Sequence, residues 1–295
     1  MLSTPWSSSF GLRLPIVNAP MGGVAGGRLA AAVTAAGGLG MVGMGSVATR
    51  ELLRTQLDQV QGRFGIGLVD WVMRNEAGLL EDALAARPAL LSVSFGTEWS
   101  WVGAAHDAGI STVTQVYDSL GARQAVDAGI DIVVARGSEG GGHGDAKLGI
   151  LPLLDTVLDA VSVSVPVLAG GGIASPRSLA AVLAAGASGA WVGTRLAACP
   201  EALTGEGSRR ALIAAAATDT VITRIFDVAK GLPWPAHFPS RVLANDFVAR
   251  WTGNEDELAV DRRACDELAD SIAADDRRIA PVTAGQAVGM VSDDA

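Results

Sequence analysis

Three histidines occur in the chain, at positions 106, 143 and 237. His143 has the surroundings that chemistry needs. It lies in Arg136-Gly137-Ser138-Glu139-Gly140-Gly141-Gly142-His143-Gly144-Asp145, directly after a short apolar run. Glycine leaves such a loop free to swing an imidazole against a flat ligand, where it can act as acid, base or hydrogen-bond donor. A solvent-exposed loop histidine is the plainer alternative. His106 is expected to end a surface helix, and His237 lies in a proline-rich loop, either lining a cap or facing solvent.

Two further glycine clusters follow apolar runs: Gly170-Gly171-Gly172-Ile173-Ala174-Ser175, opening a helix, and Gly193-Thr194-Arg195. At glycines, backbone N–H groups approach a phosphate closely, and a helix N-terminus adds favourable partial charge. Either cluster alone reads equally well as a tight turn; the pair points to a phosphate-bearing ligand. Near the start, Asn18-Ala19-Pro20-Met21-Gly22-Gly23 ends another run with a proline, which fixes the path and carries no donor. That suits a backbone lying along a planar ring, and it suits a simple turn as well.

Other signals lack their structural setting. Gly38-Leu39-Gly40-Met41-Val42-Gly43 matches a dinucleotide fingerprint in spacing, but it leads into a strand instead of joining strand to helix. No phosphate-loop lysine motif or serine-hydrolase elbow occurs, and His143 and Asp145 have no companions at metal-ligand spacing. Cys199 and Cys265 read as packing residues. Of the two lysines, Lys147 falls in a loop, which argues against Schiff-base chemistry on a strand.

The elements that position these residues follow from hydrophobic pattern. Apolar runs recur at Pro15–Met21, Leu39–Gly43, Phe64–Leu68, Ala89–Ser94, Thr112–Val116, Ile130–Ala135, Val165–Gly170 and Gly189–Gly193, without regular polar alternation. Such runs suit parallel strands buried on both faces. Helical segments lie between them, including Arg28–Ala36, Glu51–Gln61, Ala77–Ala86, Leu120–Ala128 and Pro176–Ala185, and several close on Ala-Gly just before the next run. Eight such units predict a (β/α)8 TIM barrel in preference to an open doubly wound sheet, with chemistry on the loops after the carboxyl ends of the strands. From about Glu201 the chain becomes more charged. The expected organisation is a barrel over residues 1–205 and a small C-terminal cap over 206–295 within the same fold, with helices at Ala211–Ala217 and Glu267–Ala274. One late helix is expected to complete the barrel.

Composition bounds the function. The 295 residues are 49% hydrophobic and 18% charged, with 37 glycines and a formal net charge of -9. This excludes fibrous and disordered classes and leaves no electrostatic footprint for nucleic acid or anionic membranes. The uncharged stretch Leu29–Thr49 reads as helix, turn and strand, not a membrane span. Two cysteines without a disulfide framework, and no signal-peptide pattern at the start, fit a cytoplasmic protein.

Taken together, the motifs resemble the nitronate monooxygenase family, formerly the 2-nitropropane dioxygenases. The resemblance runs from Pro15 to about Phe226 through Asn18-Ala19-Pro20-Met21, the glycine loop ending in His143, Ala169-Gly170-Gly171-Gly172-Ile173 and Gly193-Thr194-Arg195. Ala217-Thr218-Asp219-Thr220 and Ala284-Gly285-Gln286 extend it. It implies a barrel that binds FMN, with the phosphate at Gly171, Gly172, Gly193 and Thr194, and with Trp191 and Val192 on the approach. Ala19, Pro20, Met21 and Gly22 would run beside the isoalloxazine ring, with Gly141 in the histidine loop. His143 would face the substrate as the catalytic residue, orienting an alkyl nitronate or taking a proton from a nitroalkane; O2 is the second substrate.

Two positions depart from the family's pattern. Gly67 stands where many members carry asparagine at the end of the third strand, and Arg136 where many carry glutamine at the end of the sixth. Arg136 could stabilise negative charge at the N1/C2 edge of a flavin, bind an anionic substrate group, or turn outward into solvent. Gln115 is a further candidate to hydrogen-bond the ring. Bacterial flavin-dependent enoyl reductases share this barrel, so an enoyl-thioester reductase using NAD(P)H is the alternative. A third reading is a flavin-free lyase or isomerase that binds a sugar phosphate through the same turns. Members of the family are often dimers, but no interface signal is legible in the sequence.

Overall fold

The computed structural model describes residues 2–145 and 147–292. Its strands, in chain order, are β1 (Ile16–Asn18), β2 (Gly40–Met44), β3 (Phe64–Val69), β4 (Leu90–Ser94), β5 (Ser111–Val116), β6 (Ile132–Arg136), β7 (Gly142–His143), β8 (Val167–Gly170), β9 (Gly189–Val192), β10 (Thr220–Thr223) and β11 (Ser240–Leu243). The helices are α1 (Pro5–Ser9), α2 (Gly27–Ala35), α3 (Arg50–Leu57), α4 (Asp70–Asn75), α5 (Leu79–Ala85), α6 (Ser100–Asp107), α7 (Ser119–Asp127), α8 (Ile150–Ala160) and α9 (Pro176–Ala184). Then come α10 (Thr194–Ala197), α11 (Glu206–Ala214), α12 (Ile225–Ala229), α13 (Asp246–Trp251), α14 (Glu255–Leu258) and α15 (Arg262–Ala273), followed by a 3₁₀ turn at Gln286–Met290.

Eight strands form one parallel sheet in the order β1-β9-β8-β6-β5-β4-β3-β2. A parallel bridge between Val17 and Leu39 joins its two edges, so the sheet closes into the expected (β/α)8 TIM barrel. Each of the eight apolar runs supplies one barrel strand. Their ends shift by a residue or more, most at β1, which stops at Asn18 before Pro20. The glycines before the strands act as read: Gly37 (φ +101°) and Gly186 (φ +103°) take the left-handed conformation that closes a helix.

Two apolar clusters hold the barrel. The outer one packs helix residues such as Ala30, Leu53, Leu79 and Leu154 against outward strand residues such as Val42, Ile66 and Val133. The inner one fills the lumen with Val17, Met41, Leu90, Val113, Val134, Leu168 and Trp191. Trp6 and Phe10 join it from α1 and its cap. Thr4 Oγ1 donates to the Ser188 carbonyl at 2.6 Å, which places α1 at the amino ends of the strands. Residues 4–10 therefore plug the barrel floor, leaving the carboxyl-end mouth as the open face.

The C-terminal region builds a second body of structure. Strands β10, β11 and β7 form an antiparallel sheet in that order, and Ile225, Phe226, Phe247, Leu258, Ala264 and Leu268 form a separate apolar cluster beside it. Of the expected segment Ala211–Ala217, only Ala211–Ala214 is helical, as the end of α11, which begins at Glu206. The expected Glu267–Ala274 lies in α15 as far as Ala273, with Ala274 as its C-cap, and the buried Ala264 and Leu268 of this helix pack in the cluster. No helix among the described residues is long and apolar enough to cross a membrane.

Candidate active site

The barrel mouth holds a cavity of about 570 Å³, within the range of ~300–1,000 Å³ common to ligand sites. Its lining includes Ala19, Pro20, Met21, Gly22, Gln115, Arg136, Gly141, His143, Gly171, Gly172, Trp191, Gly193 and Thr194, residues of separate loops brought to one space by the barrel. Two of the residues singled out in the sequence lie outside the lining. Val192 is buried in β9, where its carbonyl accepts the Ala19 N–H at 2.8 Å and so anchors the first loop. Gly67 lies beneath Pro20: a Cβ there would sit 2.2 Å from the proline Cγ. The space that an asparagine would need is taken by the proline ring.

Asn18 fixes the first loop from below. It is fully buried, accepts the Met41 N–H at 2.6 Å and donates to the Met41 and Ala19 carbonyls at 2.9 and 3.0 Å. Those bonds tie β1 to β2 directly under Ala19–Gly22.

The two phosphate-type turns sit side by side, because β8 and β9 are neighbours. Gly171 (φ +106°) and Gly172 (φ +71°) both take the positive φ that glycine adopts without strain. A Cβ on Gly171 would lie 3.0 Å from the Gly137 carbonyl oxygen, so the turn is closed against side chains. Helix α9 begins later, at Pro176, and its start is satisfied internally by a Ser175–Ser178 capping box. Any anion here therefore meets the glycine turn, not the helix end. Thr194 Oγ1 accepts the Gly285 N–H at 2.9 Å, which leaves its hydroxyl proton free to donate into the cavity.

His143 is held far more firmly than its glycine-rich setting suggests. It belongs to β7 and pairs with Ser240 of β11, so the loop is an edge of the cap sheet and does not swing. Its Nε2 lies 2.9 Å from Asp227 Oδ2 on α12, and its ring stacks on Trp234 at 3.6 Å between centroids and 6° between planes. Trp234 donates from Nε1 to Ser46 Oγ at 3.0 Å and meets Phe95 and Trp71 edge-on. An aromatic wall and a buried carboxylate thus fix the imidazole on two sides. Asp227, Trp234, Lys230 and Leu232 line the cavity and were not singled out in the sequence. Trp234 stands in Gly231-Leu232-Pro233-Trp234-Pro235, legible only as a compositional shift.

Arg136 is buried and does not turn outward. Its guanidinium donates to the carbonyls of Gly141 (2.7 Å), Gly142 (3.2 Å) and Gly137 (3.3 Å), clasping the histidine loop. Burial pushes its pKa below the ordinary arginine value. The same loop is fixed from outside by Arg241, which donates to the Ser138 carbonyl at 3.0 Å, and by Glu139, whose carboxylate caps α8 at the Ile150 N–H. Burial also lowers the Lys230 pKa, opposed by nearby Asp227. Tyr117 has a buried hydroxyl, and burial raises its pKa. Among the described residues no group of three His, Cys, Asp or Glu side chains is placed to hold a metal. Outside the cavity, His106 near the end of α6 pairs with Asp131 at 3.0 Å, and His237 tilts over Phe238.

A parallel barrel with twin glycine turns on adjacent strands, and a pinned histidine over the mouth, is the architecture of a flavin-dependent oxidoreductase. The model of the nitronate monooxygenase family matches residues 4–64 and 72–292, and the chain belongs to that family. It is 32% identical over 262 residues to a nitronate monooxygenase of Paraburkholderia phytofirmans, covering 72% of this chain and 71% of that protein. Among solved structures it is similar to FabK from Thermotoga maritima (TM-score 0.82, 26% identity, covering 99% of this chain and 91% of that one). It is also similar to a nitroalkane oxidase from Streptomyces ansochromogenes (TM-score 0.81, 27% identity, covering 97% and 93%).

Proposed function

We propose that the protein is an FMN-dependent nitronate monooxygenase, converting alkyl nitronates and O2 to a carbonyl compound and nitrite. The observation that carries this reading is the single cavity that has two glycine turns at one side and the Asp227–His143–Trp234 assembly above it. The turns suit a phosphate: Gly171, Gly172, Gly193 and Thr194 would hold it through backbone N–H groups and one hydroxyl. Ala19–Gly22 would lie along the ring, Gln115 would offer it an amide, and Trp191 would sit on the approach. On this reading residues 1–205 bind the flavin and 206–295 cover it.

When bound, the flavin supplies the electron-transfer chemistry between nitronate and oxygen. The chain supplies position and proton handling. In the tautomer with the proton on Nε2, Asp227 would accept that N–H and Nδ1 would be the ring nitrogen left for substrate. In that tautomer Nδ1 accepts a proton from the carbon of a nitroalkane; once protonated, it donates to the oxygens of a nitronate. Trp234 keeps the ring plane fixed and excludes water from one face.

A second reading, an enoyl-thioester reductase using NAD(P)H, is favoured by the likeness to FabK. Aerobic incubation with an alkyl nitronate separates the two. The first reading expects nitrite and the matching carbonyl compound to appear without NAD(P)H, and FMN to be released on denaturation. No nitrite, or turnover only with NAD(P)H and an enoyl thioester, rejects it.

A further inference from the structure

Arg136 brings a full charge to the floor of the cavity. Side chains two apart on a strand share a face, and Ile132 and Val134 of β6 fill the barrel lumen. The next inward position is Arg136, whose register partner is Gly170, where β8 ends and the Gly171–Gly172 turn begins. Arg136 therefore tops the lumen beneath the cavity that it lines. The backbone closes directly on its guanidinium: a Cβ on Gly140 would lie 2.8 Å from Cζ, and one on Gly144 2.5 Å from Nη1. Among the described residues its partners are the three loop carbonyls, and it forms no ion pair. Glu139, an acidic group in electrostatic range, turns both oxygens to the Ile150 N–H at 3.0 Å, and Arg241 adds a like charge. Asp227, which also lines the cavity, is engaged with His143 on the cap side, near Lys230. The barrel side of the cavity thus carries a positive charge without a carboxylate, and a buried charge left unpaired is costly.

An occupant that becomes negative on the barrel side completes this arrangement. Resting on the flavin-binding reading, and on neither choice of substrate, we propose that Arg136 stabilises the negative charge a bound flavin gains on reduction and so raises its reduction potential. One electron without a proton, or two with one, leaves the neutral ring with one negative charge; the donor is the substrate, a nitronate or NAD(P)H, which is oxidised. Arginine suits this role because its guanidinium keeps its proton even when buried. At an effective dielectric of ~20, a charge acts across several ångströms strongly enough to shift an equilibrium about tenfold.

The reduction potential of the flavin-loaded protein, read by absorbance in equilibrium with a redox dye, tests this without turnover. Arg136→Gln is expected to shift the reduction equilibrium about tenfold or more toward oxidised flavin, which is about 30 mV for a two-electron couple. Glu139→Gln removes a nearby negative charge and is expected to shift it the opposite way. If Arg136→Gln does not fold, Glu139→Gln carries the test alone, and a potential that fails to rise overturns the proposal. Amide exchange across residues 140–144 separates charge from loop position, because a loosened loop would move both potentials in one direction. A fall in both variants alongside faster exchange overturns the proposal in favour of a purely structural clasp. An unchanged potential in Arg136→Gln, with weaker binding of an anionic substrate, overturns it and assigns the arginine to substrate. A protein that takes up no flavin overturns the flavin reading itself, whereas a loaded protein with an indifferent potential overturns this proposal alone.

Discussion

His143 is an imidazole whose freedom has been removed by its neighbours. A carboxylate holds Nε2, an indole holds one face, and a strand holds the backbone. Replacement by alanine is expected to leave flavin bound while lowering kcat about 100-fold, the scale of a lost acid–base group; steady-state rates beside the flavin absorbance of the same sample test this. At Gly67 the expectation concerns packing. Gly67→Asn would drive a side chain into Pro20, so thermal melting should show a loss on the order of the ~1–3 kcal/mol typical of overpacking, together with weaker flavin retention. The glycine turns were readable because their meaning is local. Asp227 was not, because it lies 84 positions from His143 and carries no pattern of its own.

At the scale of elements, the histidine loop is a shared part of two structures. Arg136 at the end of β6 clasps it from the barrel, and β11 clasps it from the cap. Arg136→Gln keeps fewer donors for the carbonyls of Gly137, Gly141 and Gly142. It is expected to cost ~1–3 kcal/mol, as for buried acceptors left unpaired, and to speed amide exchange across residues 140–144. Unchanged exchange there would remove Arg136 from the clasp. The eight barrel strands were legible from apolar runs and helix-closing glycines, since both faces of a parallel strand are buried. Strand β7 was not: two residues of a glycine loop have no strand signature, and only pairing with β11 makes them one.

For the whole molecule, the floor plug at Trp6 and Phe10 and the cap cluster around Phe226 and Phe247 decide which end of the barrel is open. A cap was expected from the change in composition after Glu201, but neither the plug nor the cap's apolar cluster was legible, because a five-residue helix and scattered apolar residues acquire a role only through long-range packing. Acid stability is also a property at this scale. The Arg50 guanidinium holds the Asp82 carboxyl at about 2, and Arg278 does the same for Asp276, against an ordinary value of 3.8. A depressed carboxylate pKa contributes stability above the ordinary value, and that contribution is lost as pH falls toward 2. Asp70, raised by burial, acts in the opposite sense: its protonation on acidification relieves a buried charge. Thermal melts between pH 4 and 2 are expected to show a modest, salt-sensitive decline, since both arginine pairs lie at the surface. Asp82→Asn should flatten it.

The central claim is that this barrel oxidises nitronates through a flavin it binds itself. Anaerobic mixing of the purified protein with an alkyl nitronate, and separately with NAD(P)H, tests it most directly. Rapid loss of flavin absorbance with the nitronate and none with NAD(P)H is the expected result. Bleaching by NAD(P)H followed by reoxidation by an enoyl thioester, or a purified protein without flavin absorbance, would contradict it.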